Sequence, residues 1–92
     1  MAQVELTRHL KDIFPALQGA PFGVKAATVA EIVTELEAIA PGVAFYICDE
    51  RGRLRQHVNI FVGDDMICDR GRLSDRLDPD SRVFIAQALS GG

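Results

Sequence analysis

Two periodicities alternate along this chain. Val4 and Leu6 are set against Glu5 and Thr7, the period-two pattern of a strand with one inward face. This strand is read from Val4 to about Ile13. Pro15 and Gly19-Ala20-Pro21 then break the chain, and Gly23 to Ala27 returns as a second strand, so the first two elements read as a hairpin around a Gly/Pro loop. From Thr28 the period changes. Val29, Ile32, Val33, Leu36 and Ile39 fall on one helical stripe, with Glu31, Glu35 and Glu37 off it. Thr28 is a good N-cap, and Glu31 three residues later completes a capping box. Pro41-Gly42 ends the helix.

Beyond the helix the pattern shortens. Val43 to Cys48 is apolar and brief, either an irregular connector or a small strand, and Asp49-Glu50-Arg51-Gly52 is a turn. Val58, Ile60 and Val62 are β-branched and share one face of a strand; Asn59, Phe61 and Gly63 take the other. Gly63-Asp64-Asp65 and Asp78-Pro79-Asp80-Ser81 are turns. The second feeds a last strand, Arg82 to Ala86, in which Val83 and Ile85 face inward and Phe84 and Ala86 outward. A single amphipathic helix must cover its apolar stripe, and a sheet is the natural partner. The reading is an α+β domain, a mixed sheet of four to five strands with one main helix on one face. Its final strand lies beside the first in the middle of the sheet.

Composition narrows the function classes. At 92 residues the chain is one domain, with 48% hydrophobic and 25% charged residues, enough for a small core without metals or disulfides. No run of about 18 apolar residues offers a membrane span, and Met1 to Glu5 lacks the basic and apolar regions of a signal peptide. The default expectation is cytoplasmic, with no membrane partner. A net charge of −3 argues against general nucleic-acid binding, which neutralises phosphates. Seven of the ten basic residues are arginines from Arg51 to Arg82. Asp64, Asp65, Asp69, Asp75, Asp78 and Asp80 are mixed among them, either as a solvated surface of alternating sign or as the charged rim of a docking surface. Cys48 and Cys68 stand apart with no histidine at ligand spacing, which gives no metal site. Each follows an isoleucine and reads as a buried or half-buried small side chain. His9 and His57 have no nucleophile or acid arranged around them, so neither reads as catalytic.

The candidate chemistry sits at the end of the chain, Gly91-Gly92. Chance gives such an ending in roughly one chain in two hundred, so its weight depends on what precedes it. Three stretches do so: the helix Thr28 to Glu37 with Pro41-Gly42, the segment Gly52 to Asp65, and Leu77 to Ile85 running into the diglycine. Together they resemble the MoaD/ThiS sulfur-carrier family of ubiquitin-like β-grasp proteins. That family includes the small subunit of molybdopterin synthase, the thiamin sulfur carrier and the carrier of a cysteine biosynthesis route. The length and the Gly52 to Asp65 segment are most similar to the carriers of the cysteine route. Two details depart from the family pattern: Gln87-Ala88-Leu89-Ser90 stands where small apolar residues are usual, and Gly63-Asp64-Asp65 where Asn-Gly or Asn-Asp often follows the strand.

The resemblance implies a β-grasp domain over residues 1–86 and a flexible C-terminal tail over residues 87–92. It implies a carrier and co-substrate rather than an enzyme, or the small subunit of a sulfur-transferring enzyme. Gly92, supported by Gly91, would carry the chemistry. An E1-like adenylating enzyme would use ATP to activate the Gly92 carboxylate, with no cofactor bound by the carrier itself. A desulfurase or rhodanese-like donor would supply sulfur, and a biosynthetic enzyme would accept it from the thiocarboxylate. Glycine at both last positions suits passage through a narrow channel, and residues 87–92 extended span at most about 20 Å. Phe61 and Phe84 face away from the helix. Either a loop covers them, or they form an ordinary exposed pair, or, with Leu89 and Ser90, they dock the activating enzyme. Two other functions share the sequence: a ubiquitin-like modifier joined to lysines through the same C-terminus, and a β-grasp interaction module in which the diglycine has no role.

Overall fold

The computed structural model describes residues 1–87. Strand β1 (Ala2–Leu6) is followed by a short helix, α1 (Arg8–Ile13), and a single 3-10 turn at Pro15–Leu17. Next come β2 (Phe22–Val24), the main helix α2 (Val29–Ile39) and a one-turn helix α3 (Val43–Ile47). Strands β3 (Val58–Val62), β4 (Asp65–Met66) and β5 (Arg82–Gln87) complete the described chain. The sheet order is β2-β1-β5-β3-β4. β1 runs parallel to β5, with Val4 beside Val83 and Leu6 beside Ile85. The other pairings, β1 with β2, β3 with β5 and β3 with β4, are antiparallel. The last strand is therefore the middle strand and lies beside the first, as its apolar pattern predicts.

The core forms between the helices and one face of this sheet. Val29, Ile32 and Leu36 of α2 are fully buried, as are Val4, Ile60 and Ile85 of the sheet. Full burial of one such side chain is worth about 1.5–3 kcal/mol, whereas an exposed ion pair contributes about 0–1 kcal/mol. The single ion pair among the described residues, Lys11 to Glu5 at 3.2 Å, is therefore a minor contributor.

Helix α2 begins where its cap predicts. Thr28 Oγ1 accepts from the Glu31 N–H at 3.3 Å. Glu31 reaches back one residue further than a standard box and accepts from the Ala27 N–H at 2.6 Å. The other early N–H groups of the helix have no intrahelical acceptor; those of Val29 and Ala30 donate to the carbonyls of Asp75 and Leu73 at 3.1 and 2.8 Å. The segment before β5 is thereby tied to the start of α2.

Five sequence expectations are corrected. The first strand stops at Leu6, and residues 8–13 are helical. Leu10, the one buried residue of α1, fits a strand alternation from Val4 and a helical turn equally well, so a helix this short hides its period. The second strand is Phe22–Val24 rather than Gly23 to Ala27. Val43 to Ile47 is a helical turn that buries Val43 and Ile47 at i and i+4. Ile39, at the end of the α2 stripe, is 42% exposed, and Cys68 is exposed rather than buried. Cys48 is buried as expected.

Carboxylates and one arginine organise the loops. Glu37 accepts from the N–H groups of Gly42 and Ala44 at 2.9 and 2.8 Å, joining the end of α2 to the start of α3. Those two bonds hold its carboxyl below the ordinary value. The Arg53 N–H lowers Asp49 in the same way, and the Ser74 hydroxyl, followed by the Arg72 N–H, lowers Asp69. The Asp69 cage surrounds Leu73, which takes the left-handed conformation at φ 55°. Arg70 inserts into the entry to β3: its guanidinium donates to the carbonyls of Arg55 (2.8 Å) and Val58 (3.0 Å) and to Asn59 Oδ1 (3.1 Å).

Two predictions follow from these groups. A carboxyl whose folded pKa lies below its unfolded value stabilises fully above the unfolded value, and that stability is lost as pH falls through the folded one. Thermal midpoints should be flat from neutral pH to roughly pH 5 and fall below about pH 4. A Glu37→Gln, Asp69→Asn double variant should be less stable at neutral pH and show a shallower acid slope by circular dichroism; an unchanged slope contradicts the assignment. Arg70→Met should cost roughly 1–3 kcal/mol in denaturant unfolding, because it strips the donor from two carbonyls; a wild-type midpoint would show that water serves them equally well.

Candidate functional site

Two features frame the end of the described chain: the helix-free face of the sheet and the root from which residues 88–92 continue. Side chains alternate across a strand, so with Val83 and Ile85 buried, Phe84 lies on the open face. The register sets Glu5, Phe84, Phe61 and Met66 in one row across four strands. Phe84 is 37% and Met66 56% exposed, and Phe61 is half-buried. The three apolar side chains of that row form a continuous strip. Phe84 keeps over a third of its surface open, so no loop among the described residues covers it completely. Glu5, held by Lys11, closes one end of the strip, and Gln3 and Arg82 pair in a neighbouring row. A shallow hollow of about 460 Å³ opens beside Phe84, lined by Gln3, Glu5, Pro21, Gly63 and Arg82.

Met66 was not singled out in the sequence, although a signal existed. Gly63-Asp64 forms a two-residue hairpin loop, with Gly63 at φ 63° as the first position of such a turn favours. Counting through that loop sets Met66 opposite Phe61. The strand after the loop is only two residues long, too short to register as an alternation.

At the root, β5 continues through Gln87, which pairs with Val58 of β3. The Gln87 N–H donates to Thr7 Oγ1 at 3.4 Å, and its side-chain Nε2 donates to the Tyr46 hydroxyl at 3.1 Å. The Tyr46 ring meets the Phe14 ring edge-on at 5.7 Å. A hollow of about 330 Å³ lies alongside, lined by Gly42, Phe45, Tyr46, Arg55 and His57. Phe45 is 60% exposed, and the Arg55 guanidinium stands over its ring at 5.2 Å while Arg55 Nε donates to the Phe45 carbonyl. None of these root contacts is visible in the sequence, since they join residues 41 and 80 positions apart.

Gly91, Gly92, Leu89 and Ser90 lie outside the described residues, as does the expected tail except Gln87. The structure therefore brings together Phe61 and Phe84 of the candidate residues. The mixed charges of the second half also separate. Asp49, Asp69 and Asp75 are spent on backbone N–H groups, and Arg51, Arg53 and Arg72 form no ion pair among the described residues. Nor does any cluster of three His, Cys, Asp or Glu form among them that could hold a metal. No described helix is long and apolar enough to cross a membrane.

No family model and no curated protein sequence matches the chain. Solved structures do. A chain of the BexX/CysO complex from Amycolatopsis orientalis superposes with a TM-score of 0.82 at 24% identity, covering 100% of both chains. CysO from Mycobacterium tuberculosis gives 0.81 at 24% identity, over 97% of this chain and 100% of its own. SAMP1 from Haloferax volcanii gives 0.74 at 18% identity, over 99% and 98%. Agreement over whole chains, with a five-stranded mixed sheet and a main helix on one face, gives this protein the ubiquitin-like β-grasp fold that the sequence resemblance implied.

Proposed function

We propose that this protein is a sulfur carrier whose reactive group is the C-terminal carboxylate of Gly92. The observation that carries the reading is the placement of β5. The middle strand of the sheet runs directly into the segment that ends in Gly91-Gly92, so a rigid body is joined to the diglycine through its best-supported strand. The sequence resemblance to MoaD/ThiS carriers, nearest those of the cysteine route, and whole-length similarity in fold to the CysO chains support it.

The chemistry follows from the carboxylate. Its ordinary pKa is about 3.5, so at neutral pH it is an anion and a poor electrophile. In an E1-like partner, a carboxylate oxygen attacks the α-phosphorus of ATP and pyrophosphate leaves, giving an acyl-adenylate. Sulfide attacks the acyl carbon and AMP leaves, giving a thiocarboxylate at Gly92. In a second, sulfur-accepting enzyme that sulfur displaces a leaving group from an electrophilic carbon of the substrate, forming a thioester link; water then cleaves the acyl–sulfur bond, which leaves the sulfur on the product and the carboxylate on Gly92. The protein is a recyclable co-substrate, and the bond-making residues belong to its partners. Where a desulfurase or rhodanese-like donor supplies the sulfur, its persulfide attacks the acyl carbon and AMP leaves; a thiol then cleaves the acyl disulfide, releasing the thiocarboxylate and leaving a disulfide on the donor side. The Phe84-Phe61-Met66 strip is the proposed docking surface for the activating enzyme, with Leu89 and Ser90 entering its channel. One neighbour in fold comes from a complex with a second protein, BexX/CysO.

A second reading shares the activation step. Among the neighbours in fold is the small archaeal modifier protein 1 of Methanosarcina acetivorans, with a TM-score of 0.77 at 20% identity. In a modifier, the Gly92 acyl group would pass to a lysine amine as an isopeptide.

Intact mass after incubation with ATP, sulfide and the activating enzyme separates the readings. The carrier predicts a gain equal to the oxygen-to-sulfur difference; the modifier predicts conjugates of higher mass. Deleting Gly92 or substituting Gly92→Ala should abolish the gain with little change in thermal midpoint, and full charging of either variant would refute the mechanism. A Phe61→Ala, Phe84→Ala double variant should lose affinity for the activating enzyme by about tenfold or more, since partly exposed aromatic side chains supply interface anchors. Wild-type affinity would remove the strip from the interface.

A further inference from the structure

The core-facing positions of β5 are occupied by Val83, Ile85 and then Gln87. The first two are buried and apolar. A glutamine at the third is costly, because an amide drawn out of water must recover its hydrogen bonds. Here it recovers them only in part: Nε2 donates to Tyr46, while Oε1 is buried with no donor among the described residues. A leucine would bury more apolar surface and leave no orphaned amide oxygen, at the cost of the bond to Tyr46. What the amide provides instead is direction.

The backbone of the same residue is held just as specifically. β1 ends at Leu6, opposite Ile85. The Thr7 N–H still donates to the Ile85 carbonyl at 3.0 Å. There the first chain turns away, and the Thr7 carbonyl is taken by the N–H groups of Leu10 and Lys11 at the start of α1. β5 thus outlasts its parallel neighbour, and the Gln87 N–H has no backbone acceptor on that side. The Thr7 hydroxyl supplies one. On the other side Gln87 pairs with Val58. Tyr46 is itself fixed, by the Phe14 ring and by Glu37, which grips the N-terminal turn of α3.

We propose that Thr7, Tyr46 and Gln87 form a three-point clamp that sets the direction in which the chain leaves the sheet. They are positioning residues for the chemistry at Gly92, a role that rests on the carrier reading above. The reacting carboxyl lies five residues past Gln87, up to roughly 17 Å of extended chain. Held extended in a partner's narrow channel, the tail passes a displacement at its root on to the carboxyl, and a misplacement of about 1 Å at a reacting centre can cost about a hundredfold in rate. A body that docks correctly but releases its last strand loosely would bind the activating enzyme and react slowly. The clamp therefore acts on turnover and leaves docking alone.

The test uses Thr7→Val and Tyr46→Phe, which remove one oxygen each while keeping shape, Gln87→Leu, and Thr7→Ser as the conservative rescue. Two readouts are needed. In the free protein, amide hydrogen exchange followed by NMR should accelerate about tenfold or more at Gln87 in Thr7→Val and Tyr46→Phe, with Ile60 and Val83 unchanged. In ATP-dependent adenylation by the E1-like enzyme, those variants and Gln87→Leu should lose about tenfold or more in kcat. Their KM and thermal midpoint should stay near wild type, and Thr7→Ser should recover both readouts. Wild-type kcat in Thr7→Val and Tyr46→Phe overturns the clamp, as does unchanged exchange at Gln87. A loss confined to KM, or one tracking a lowered midpoint, also overturns it, by showing docking or folding to be the cause. If the wild-type protein is not adenylated, the carrier reading fails, and the exchange readout alone decides whether the clamp exists.

Discussion

The pairing of β5 between β1 and β3 is the constraint on which the rest of the structure depends. A strand with neighbours on both sides has its backbone groups satisfied in the ladder, and with Val83 and Ile85 fully withdrawn from water it joins the two ends of the described chain into one sheet. Parallel pairing to β1 requires a long crossover between them, and everything from Thr7 to Ser81 serves as that crossover. The main helix covers the inner face, α3 and the loops close its edges, and the outer face stays open. Since β5 is also the last described element, the point where residues 88–92 begin is tied to the sheet through β3 and to Thr7 and Tyr46 by side-chain hydrogen bonds.

That arrangement divides the surface by use. The open face carries an apolar strip, Phe84, Phe61 and Met66, bounded by Glu5 and its lysine. Elsewhere the Arg55 guanidinium stands over the exposed Phe45 ring. The neighbouring loop is held by local hydrogen bonds: Asp49 accepts the N–H groups of Arg51 and Arg53 and stays an anion beside Arg53 and Arg55. The root at Gln87 is reached by side chains from α3 and from the corner after β1.

Much of the fold was legible in the sequence, because its long elements carry unambiguous periods. The α2 stripe with its Thr28 cap, the β-branched alternation of β3 and the Val83/Ile85 alternation of β5 each point to one structure. The elements misread are those too short to display a period: α1 with one buried residue, α3 with two, and β4 of two residues. The alternation of Val4 and Leu6 with Glu5 and Thr7 carries no mark of where it stops, and Leu10 alone does not announce a helix after it. The site was legible in part. Phe61 and Phe84 follow from alternation, and the diglycine from inspection. Thr7, Tyr46 and Gln87 could not be found that way, because polar residues at strand and helix ends are common, and only the folded chain brings these three together. Arg70, placed among surface charges by its sequence neighbours, spends its guanidinium on backbone carbonyls instead.

The central claim is that sulfur is carried on the carbonyl carbon of the last residue. Tandem mass spectrometry of the charged protein, fragmented to its C-terminal peptide after incubation with isotope-labelled sulfide, ATP and the activating enzyme, tests it most directly. The account predicts that the label sits on Gly92 as a thiocarboxylate and is absent when ATP is omitted. Label found on any residue other than Gly92, or retained without ATP, would contradict it.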